Sequence, residues 1–239
     1  MEQVYEQRLT VGMSACDADR LLSHPAAFNL LQDVSAAHGA LLGVGPLDLE
    51  KRSLFWLIVK VKMLFDRRPG LGEKVLLRTW PDRPGPLRFT RSYELVGEGG
   101  TLMRARTEWA VIDVGTRRVI RAGDVFPAEL SYDRPPACTE AFPRIGEGFG
   151  GIEPFASYTV SSSDIDLGGH MNNAAYPRAL FGAFTVAERR AMDPRSVDLI
   201  YRAPCYEGET LAFRRRENGG ALEVCASRGD ETVLLARLS

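Results

Sequence analysis

The residues best suited to chemistry lie close together in residues 161–181, which read SSSDIDLGGHMNNAAYPRALF. This stretch holds two carboxylates, Asp164 and Asp166, and one of the three histidines of the chain, His170. A carboxylate and an imidazole can take a proton from water and pass it on, as hydrolysis at neutral pH requires. We therefore interpret Asp166 and His170 as a candidate acid–base pair.

Two glycines and two amides accompany this pair. Gly168 and Gly169 allow the backbone to approach a ligand closely or to adopt positive φ. Asn172 and Asn173 come just before a helical pattern, and free N–H groups of a first helical turn can stabilise an oxyanion. These four residues are candidates for holding a substrate oxygen or positioning a water. Turn closure and helix capping alone would also explain them.

The elements that must position this stretch occur twice along the chain. In both copies an extended segment leads into a helical pattern, and strand patterns follow. Each extended segment ends in Asp-x-Asp: Asp17 and Asp19 in the first copy, Asp164 and Asp166 in the second. With these pairs aligned, Ser23 stands where His170 would align, and His24 follows one place later. The first copy therefore lacks the glycines, the amides and an aligned histidine.

The helical patterns carry one apolar stripe each, and each is followed by strands. The first stripe comprises Phe28, Leu31, Val34, His38 and Leu41, and the second comprises Tyr176, Leu180, Phe184 and Ala187. Gly43 is a plausible C-cap of the first helix, whereas Pro177 either kinks the second helix or lies in its first turn. A helix with one apolar stripe can bury it against a curled sheet, so the pattern predicts an α+β fold.

A stretch rich in proline and glycine, residues 132–156, separates the copies and predicts a linker. It divides the chain into an N-terminal domain, residues 1–131, and a C-terminal domain, residues 157–239. Two successive copies suggest a pseudo-dimer within one chain, with the sheets joined edge to edge.

The segment DIDLGGHMNNAAY (residues 164–176) resembles the signature of hotdog thioesterases, specifically the acyl-ACP thioesterases of bacteria and plants. HGALLGVG, the Trp56 strand and the Trp80-Pro81 pair extend the resemblance through the N-terminal half. It implies two tandem hotdog domains, each a long helix wrapped by a curled antiparallel sheet. It also implies hydrolysis of a fatty acyl thioester on acyl carrier protein, without cofactor or metal.

The family pattern Asp-x-Asn-x-His places its aspartate on Asp166 and its histidine on His170, but its asparagine falls on Gly168. A backbone N–H, Asn172 or Asn173 would then serve in place of that amide. Asp166 would act as base toward water or attack the carbonyl, and His170 would polarise the carbonyl or share the proton transfer. Many plant members carry Glu-Cys where this chain has Pro204-Cys205, and a nucleophilic role for Cys205 is disfavoured because the family works without one.

The resemblance confines catalysis to the second copy and gives the first copy the acyl pocket. Phe28, Leu31 and Trp56 are the predicted pocket residues, and His38 is expected to be a core histidine. Two alternatives stay open: an acyl-CoA thioesterase of the same fold, and a non-catalytic acyl-thioester binding protein.

Composition argues against several other classes of protein. With 30 basic and 31 acidic residues, the chain has no global positive field that would indicate nucleic-acid binding. Its longest apolar run, residues 54–59, is far short of the roughly 20 residues of a membrane helix, and residues 1–14 do not resemble a secretory signal. Four widely spaced cysteines argue against zinc and disulfides. We expect a cytoplasmic protein, either monomer or homodimer.

Overall fold

The computed structural model describes residues 3–239, which divide between Glu140 and Ala141 into two compact units. The elements of the first unit are β1 (Tyr5–Thr10), α1 (His24–Leu41), α2 (Pro46–Glu50), β2 (Leu54–Phe65), β3 (Lys74–Pro81), β4 (Phe89–Gly97) and β5 (Gly100–Asp113). Those of the second are β6 (Ala156–Thr159), α3 (Ala175–Gly182), α4 (Val186–Met192), β7 (Ser196–Tyr201), β8 (Thr210–Asn218), β9 (Ala221–Arg228) and β10 (Glu231–Leu238).

Both units have the same sheet topology. The strand order is β1-β3-β4-β5-β2 in the first unit and β6-β8-β9-β10-β7 in the second, and these neighbouring strands pair antiparallel. The strand before the helix thus lies at one end of this order, and the strand directly after the helices lies at the other. The predicted α+β repeat is confirmed. No helix within residues 3–239 is long and apolar enough to cross a membrane.

Helix α1 forms where its apolar stripe predicts it, and Ser23 caps its start. The Ser23 hydroxyl accepts a hydrogen bond from the Ala26 N–H (3.2 Å), which satisfies one of the free donors of the first turn. Beyond the helix, Gly43 adopts φ +68°, the left-handed conformation expected after a C-terminus. Phe28 and Leu31 are buried on the stripe, and α1 packs on β3.

Leu41 is the exception on this stripe, since its side chain is 69% exposed. The chain turns at Gly43, directly after the helix, and buries Leu42 and Val44 against Leu49 instead. The prediction that Leu41 belongs to the buried face is therefore wrong. Leu41 is the last residue of the helix, and the residues that turn into the core come after it.

The second helical pattern is broken into two helices. Its first three apolar residues, Tyr176, Leu180 and Phe184, are buried, whereas Ala187 is exposed. Between them Thr185 starts α4 with a capping box: its hydroxyl accepts from the Glu188 N–H (3.2 Å), and its own N–H donates to the Glu188 carboxylate (2.8 Å). The predicted continuous stripe is corrected, because this local cap starts a new helix. Pro177 lies in the first turn of α3, where a missing N–H breaks no helical hydrogen bond.

The segment rich in proline and glycine packs on the first unit over part of its length. The indole N–H of Trp80 donates to the carbonyl of Pro135 (3.2 Å), and the Arg134 guanidinium lies 4.0 Å from the centre of the same ring. Ala137 adds a hydrogen bond from its N–H to the Ser92 hydroxyl (3.0 Å).

A later part of the segment packs on the second unit. The Arg216 guanidinium donates to the carbonyls of Gly146 (3.0 Å) and Gly148 (2.6 Å) and lies 4.1 Å from the centre of the Phe149 ring. Phe149 and neighbouring apolar side chains form a buried cluster with strand residues: Ile145, Ile152, Ile200, Cys225 and Leu235. The segment therefore covers a face of the sheet.

Candidate active site

The predicted acid–base pair lies on a tight loop between β6 and α3. Ile165 and Met171 form an antiparallel β-bridge, and inside it the Asp166 N–H donates to the His170 carbonyl (2.9 Å). The Gly169 N–H donates to the Asp166 carbonyl (3.0 Å), and Gly169 itself has φ +75°. Directly opposed residues of an antiparallel pair present their side chains on one face, with Cβ atoms about 5 Å apart. The loop thus sets Asp166 and His170 at directly opposed positions of its backbone.

The Asp166 carboxylate has few partners. It is half-buried, it accepts a hydrogen bond from the Gly168 N–H (2.8 Å), and it makes no ion pair within residues 3–239. The N–H groups of Gly168 and Gly169 are therefore both used to build the turn. Both N–H groups thus shape the loop that presents Asp166, and their role toward a substrate oxygen stays a prediction.

The two amides differ in what they do. The Asn172 side-chain oxygen accepts from the Ala174 N–H (2.8 Å), which closes a turn just before α3. The Asn173 carbonyl accepts from the Tyr201 hydroxyl (2.8 Å), whereas its carboxamide has no hydrogen-bond partner in the described part of the chain. Asn173 thus has its whole carboxamide available to a ligand, whereas the side-chain oxygen of Asn172 is engaged in the turn.

Asp164 has a structural role. Its buried carboxylate accepts from the Ser161 N–H (2.8 Å), the Ser161 hydroxyl (2.9 Å), the Tyr158 hydroxyl (2.7 Å) and the Arg178 guanidinium. Burial opposes ionisation of Asp164, but these hydrogen bonds outweigh it and hold the pKa of the carboxyl below its usual range. Asp164 therefore anchors the loop and is not available for chemistry.

The first unit contains the same loop, hydrogen bond for hydrogen bond. The Asp17 N–H donates to the Leu21 carbonyl (2.9 Å), and the Arg20 N–H donates to the Asp17 carbonyl (3.1 Å). The Asp17 carboxylate accepts from the Asp19 N–H (2.9 Å), and Arg20 has positive φ (61°) where the second loop has a glycine.

This correspondence corrects the predicted alignment of the two copies. The equivalent of Asp166 is Asp17, and Asp19 is not aligned with it. The equivalent of His170 is Leu21, two residues before Ser23. The two Asp-x-Asp patterns share their spacing but not their positions, because the β-bridges Cys16–Leu22 and Ile165–Met171 set the register of each loop.

Arg68 neutralises the aspartate of the first loop. Its guanidinium donates to the Asp17 carboxylate and to the Leu22 carbonyl (3.2 Å). Burial opposes ionisation of Asp17, but the hydrogen bond from Arg68 and those from the backbone outweigh it and lower the pKa of the carboxyl. The first copy therefore has a paired carboxylate and a leucine, not a histidine, at the position equivalent to His170.

Pro204 occupies the position of Arg68 in the second unit. The Leu22 N–H donates to the Pro69 carbonyl (2.8 Å), and the equivalent Met171 N–H donates to the Cys205 carbonyl (2.7 Å). Pro204 precedes Cys205 as Arg68 precedes Pro69, and it has no charge to offer Asp166. Of the two equivalent carboxylates, the one in the second loop is left unpaired.

Tyr206 is a site residue that the sequence analysis missed. Its ring centre lies 5.1 Å from that of the His170 imidazole, with the planes tilted by 53°. The matched turns of the two copies could have revealed it: Gly208-Glu209 repeats Gly72-Glu73, so Tyr206 aligns with Gly70. Both turns form the same hydrogen bond to the residue that follows the first strand of the unit. The Gly72 N–H donates to the Val11 carbonyl (2.9 Å), and the Gly208 N–H donates to the Val160 carbonyl (2.9 Å).

Burial argues against Cys205 as a nucleophile. The side chain is buried, and this burial raises the pKa of the thiol. A nucleophilic cysteine needs a lowered pKa. Cys205 therefore packs as a small apolar residue.

The three predicted acyl-pocket residues are not brought into one cluster among the described contacts. Phe28 and Leu31 are buried one turn apart near the start of α1. Trp56 donates to the Val44 carbonyl (2.8 Å) beyond the end of α1 and packs against other aromatic rings: Phe89, Trp109 and Phe126. Of the other two histidines, His38 is a satisfied core residue, since its Nδ1 accepts from buried Arg91 (3.0 Å), and His24 is buried against Phe65.

Comparison with known proteins connects this geometry to one family. Residues 2–130 match the acyl-ACP thioesterase N-terminal domain, and residues 153–233 match the acyl-ACP thioesterase C-terminal domain. The chain is 25% identical over 244 residues to a chloroplastic palmitoyl-acyl carrier protein thioesterase of Arabidopsis thaliana, covering 95% of this chain and 58% of that protein. It is 22% identical to oleoyl-acyl carrier protein thioesterase 2 of the same plant, covering 87% and 61%.

Solved structures share the whole fold. An acyl-ACP thioesterase from Bacteroides thetaiotaomicron matches with a TM-score of 0.83 and 21% identity, covering 99% of this chain and 97% of that one. A 12:0-ACP thioesterase from Umbellularia californica matches with a TM-score of 0.84 and 20% identity, covering 100% and 97%. The two units are thus tandem hotdog domains, and the chain belongs to the acyl-ACP thioesterase family.

Proposed function

We propose that this protein hydrolyses the thioester of a fatty acyl chain carried by acyl carrier protein. The observation that carries the proposal is the unpaired carboxylate of Asp166 opposite His170, on a loop whose counterpart in the first unit has Asp17 neutralised by Arg68. A paired carboxylate is a poor proton acceptor, whereas an unpaired one beside an imidazole suits acid–base chemistry.

The reaction consumes one water and needs no redox step. The Asp166 carboxylate takes a proton from water as the water oxygen attacks the thioester carbonyl carbon. The C–S bond then breaks as the proton passes from Asp166 through His170 to the leaving sulfur, so that the products are a fatty acid and a thiol and both side chains return to their starting state. The Asn173 carboxamide is available to hold the carbonyl oxygen, where developing negative charge needs a donor.

The carrier-protein substrate rests on the relatives. The Arabidopsis and Umbellularia proteins are named for acyl carrier protein substrates. This chain spans 52–62% of the length of the curated plant relatives that it matches, and it is about a quarter identical or less. An acyl-CoA thioesterase and a non-catalytic acyl-thioester binding protein are therefore the competing outcomes of the test.

Thiol release from matched panels of acyl-ACPs and acyl-CoAs tests the proposal. We expect release from acyl-ACP, and we expect Asp166→Asn and His170→Gln to lower kcat/KM by about 10²–10⁴-fold, the usual contribution of an acid–base group. Unchanged thermal unfolding of both variants is the folding control. Release from CoA esters alone would assign the second function. Binding of acyl-ACP without release would show that Gly168, which has no side chain, marks a binding protein.

A further inference from the structure

We propose that Tyr206 is a positioning residue that holds the His170 imidazole in its working orientation. The inference rests on the proposed hydrolysis and adds a residue that has neither a charge nor a place in the Asp-x-Gly-x-His pattern. Four observations carry it: the lack of hydrogen-bond partners for the imidazole, the ring contact, the comparison with the first unit, and the anchoring of the backbone around Tyr206.

No hydrogen bond within residues 3–239 orients the imidazole of His170. An acid–base histidine is commonly oriented by a hydrogen bond to its second ring nitrogen. Within residues 3–239 no hydrogen bond reaches either ring nitrogen of His170, and Gly168 on the same loop has no side chain with which to make one. A ring without a hydrogen-bond partner can adopt several side-chain rotamers.

The contact with Tyr206 restricts the rotamers of the His170 ring. The centroid distance of 5.1 Å and the tilt of 53° lie within the range in which aromatic rings attract each other. Tyr206 is 45% exposed, so no core position accounts for this large ring. The contact with His170 gives the ring a role.

In the first unit, the two positions equivalent to His170 and Tyr206 face each other and carry no ring. There Leu21 and Gly70, the equivalents of His170 and Tyr206, form an antiparallel β-bridge. Facing positions of such a bridge place their side chains on one side. The second unit, which has the unpaired carboxylate, has a histidine at one of these positions and an aromatic ring at the other.

Tyr206 is itself held by charged residues. Its N–H donates to the Glu209 carboxylate (2.9 Å), and Glu209 forms an ion pair with Arg228 (2.6 Å). Arg228 also donates to the Pro204 carbonyl (3.1 Å). The backbone around Tyr206 is therefore anchored, which fixes the point from which its ring reaches His170.

Imidazole NMR of the full chain tests the contact without relying on activity. The protein has only three histidines, and the buried His24 and His38 serve as internal folding controls. His170→Gln assigns the third set of signals. We expect Tyr206→Leu to displace the carbon-bound ring proton signals of His170, because the ring current is lost, and to leave those of His24 and His38 in place. Tyr206→Phe, which keeps the ring, should retain the shifted position.

Kinetics separate positioning from folding. We expect Tyr206→Leu to lower kcat about tenfold, part of an acid–base contribution, with KM within about twofold, and Tyr206→Phe to restore most of the loss. His170 signals that are unchanged in Tyr206→Leu would overturn the proposal. So would a Phe variant as slow as the Leu variant, since the hydroxyl would then be the active part. If the wild type hydrolyses no thioester, the proposed function fails while the NMR result still decides the contact.

Discussion

At the scale of single residues, two equivalent aspartates have opposite environments. Asp17 is paired with Arg68 and Asp166 is unpaired, although their loops share the same backbone hydrogen bonds. One carboxylate therefore contributes to stability, and the other is free for chemistry.

Replacing each aspartate by asparagine should separate these two roles. Asp17→Asn removes one partner of a largely buried ion pair, so we expect it to lower the free energy of unfolding by about 2–4 kcal/mol. Hydrolysis per folded molecule should not change. Asp166→Asn should abolish hydrolysis with little effect on stability. Urea unfolding and thiol release on both variants check this, and loss of activity in folded Asp17→Asn would contradict the assignment of chemistry to the second unit.

Placing an arginine at residue 204 should convert the second loop into a copy of the first. Arg68 binds Asp17 from the equivalent position, so we expect Pro204→Arg to pair with Asp166 and to lower kcat/KM at least about tenfold. Pro204→Gln, of similar length and without charge, is the matched control. Equal losses in both variants would show that bulk at residue 204, rather than charge, is responsible.

At the scale of elements, local sequence signals compete with long patterns. Four apolar residues at helical spacing predict one second helix, yet the capping box at Thr185 divides it. Likewise, residues 132–156 have the composition of a linker, yet Trp80 in one unit and Arg216 in the other hold parts of this segment.

Loss of the Arg216 side chain should release the segment that it holds. Arg216→Met removes the donors to two glycine carbonyls, so we expect limited trypsin digestion to cut faster after the exposed Arg144. Arg237→Met is the control, because Arg237 also forms an ion pair with Glu223 but donates to no carbonyl of the segment among the described contacts. Equal cutting of both variants would show that the buried cluster of Phe149 alone holds the segment.

At the scale of the whole molecule, paired carboxylates predict how stability depends on pH. Among the described residues, eight carboxyls have a lowered pKa although desolvation opposes ionisation, because hydrogen bonds from the backbone, from side chains or from cationic partners outweigh that cost: Asp17, Glu73, Asp113, Glu140, Asp164, Glu188, Glu209 and Glu223. A carboxyl whose pKa is lower in the folded than in the unfolded state stabilises the protein above the unfolded value, and this contribution is lost as pH falls.

We therefore expect Tm to be nearly flat from about pH 6 to 8 and to fall progressively below about pH 5, as the ordinary carboxyl range near 4 is approached. Differential scanning fluorimetry across this range measures the effect. Asp164→Asn, which removes one such group, should start from a lower Tm and fall less steeply. A Tm that rises on acidification would contradict the prediction.

Several features could be predicted because they depend on neighbours in the sequence. Strand alternation, the cap at Ser23, the turn at Gly43 and the repeat of Gly72-Glu73 in Gly208-Glu209 are all local. The opposed positions of Asp166 and His170 follow in the same way, since only residues 167–169 of a tight loop separate them. For these features the sequence alone determined the outcome.

Other features depend on which distant segments meet, and only the tertiary structure decided them. The neutralisation of Asp17 by Arg68 and the contact of Tyr206 with His170 each join segments more than 30 residues apart. Sequence spacing carries no direct information about such pairs, because the antiparallel pairing that brings them together is a property of the folded sheet.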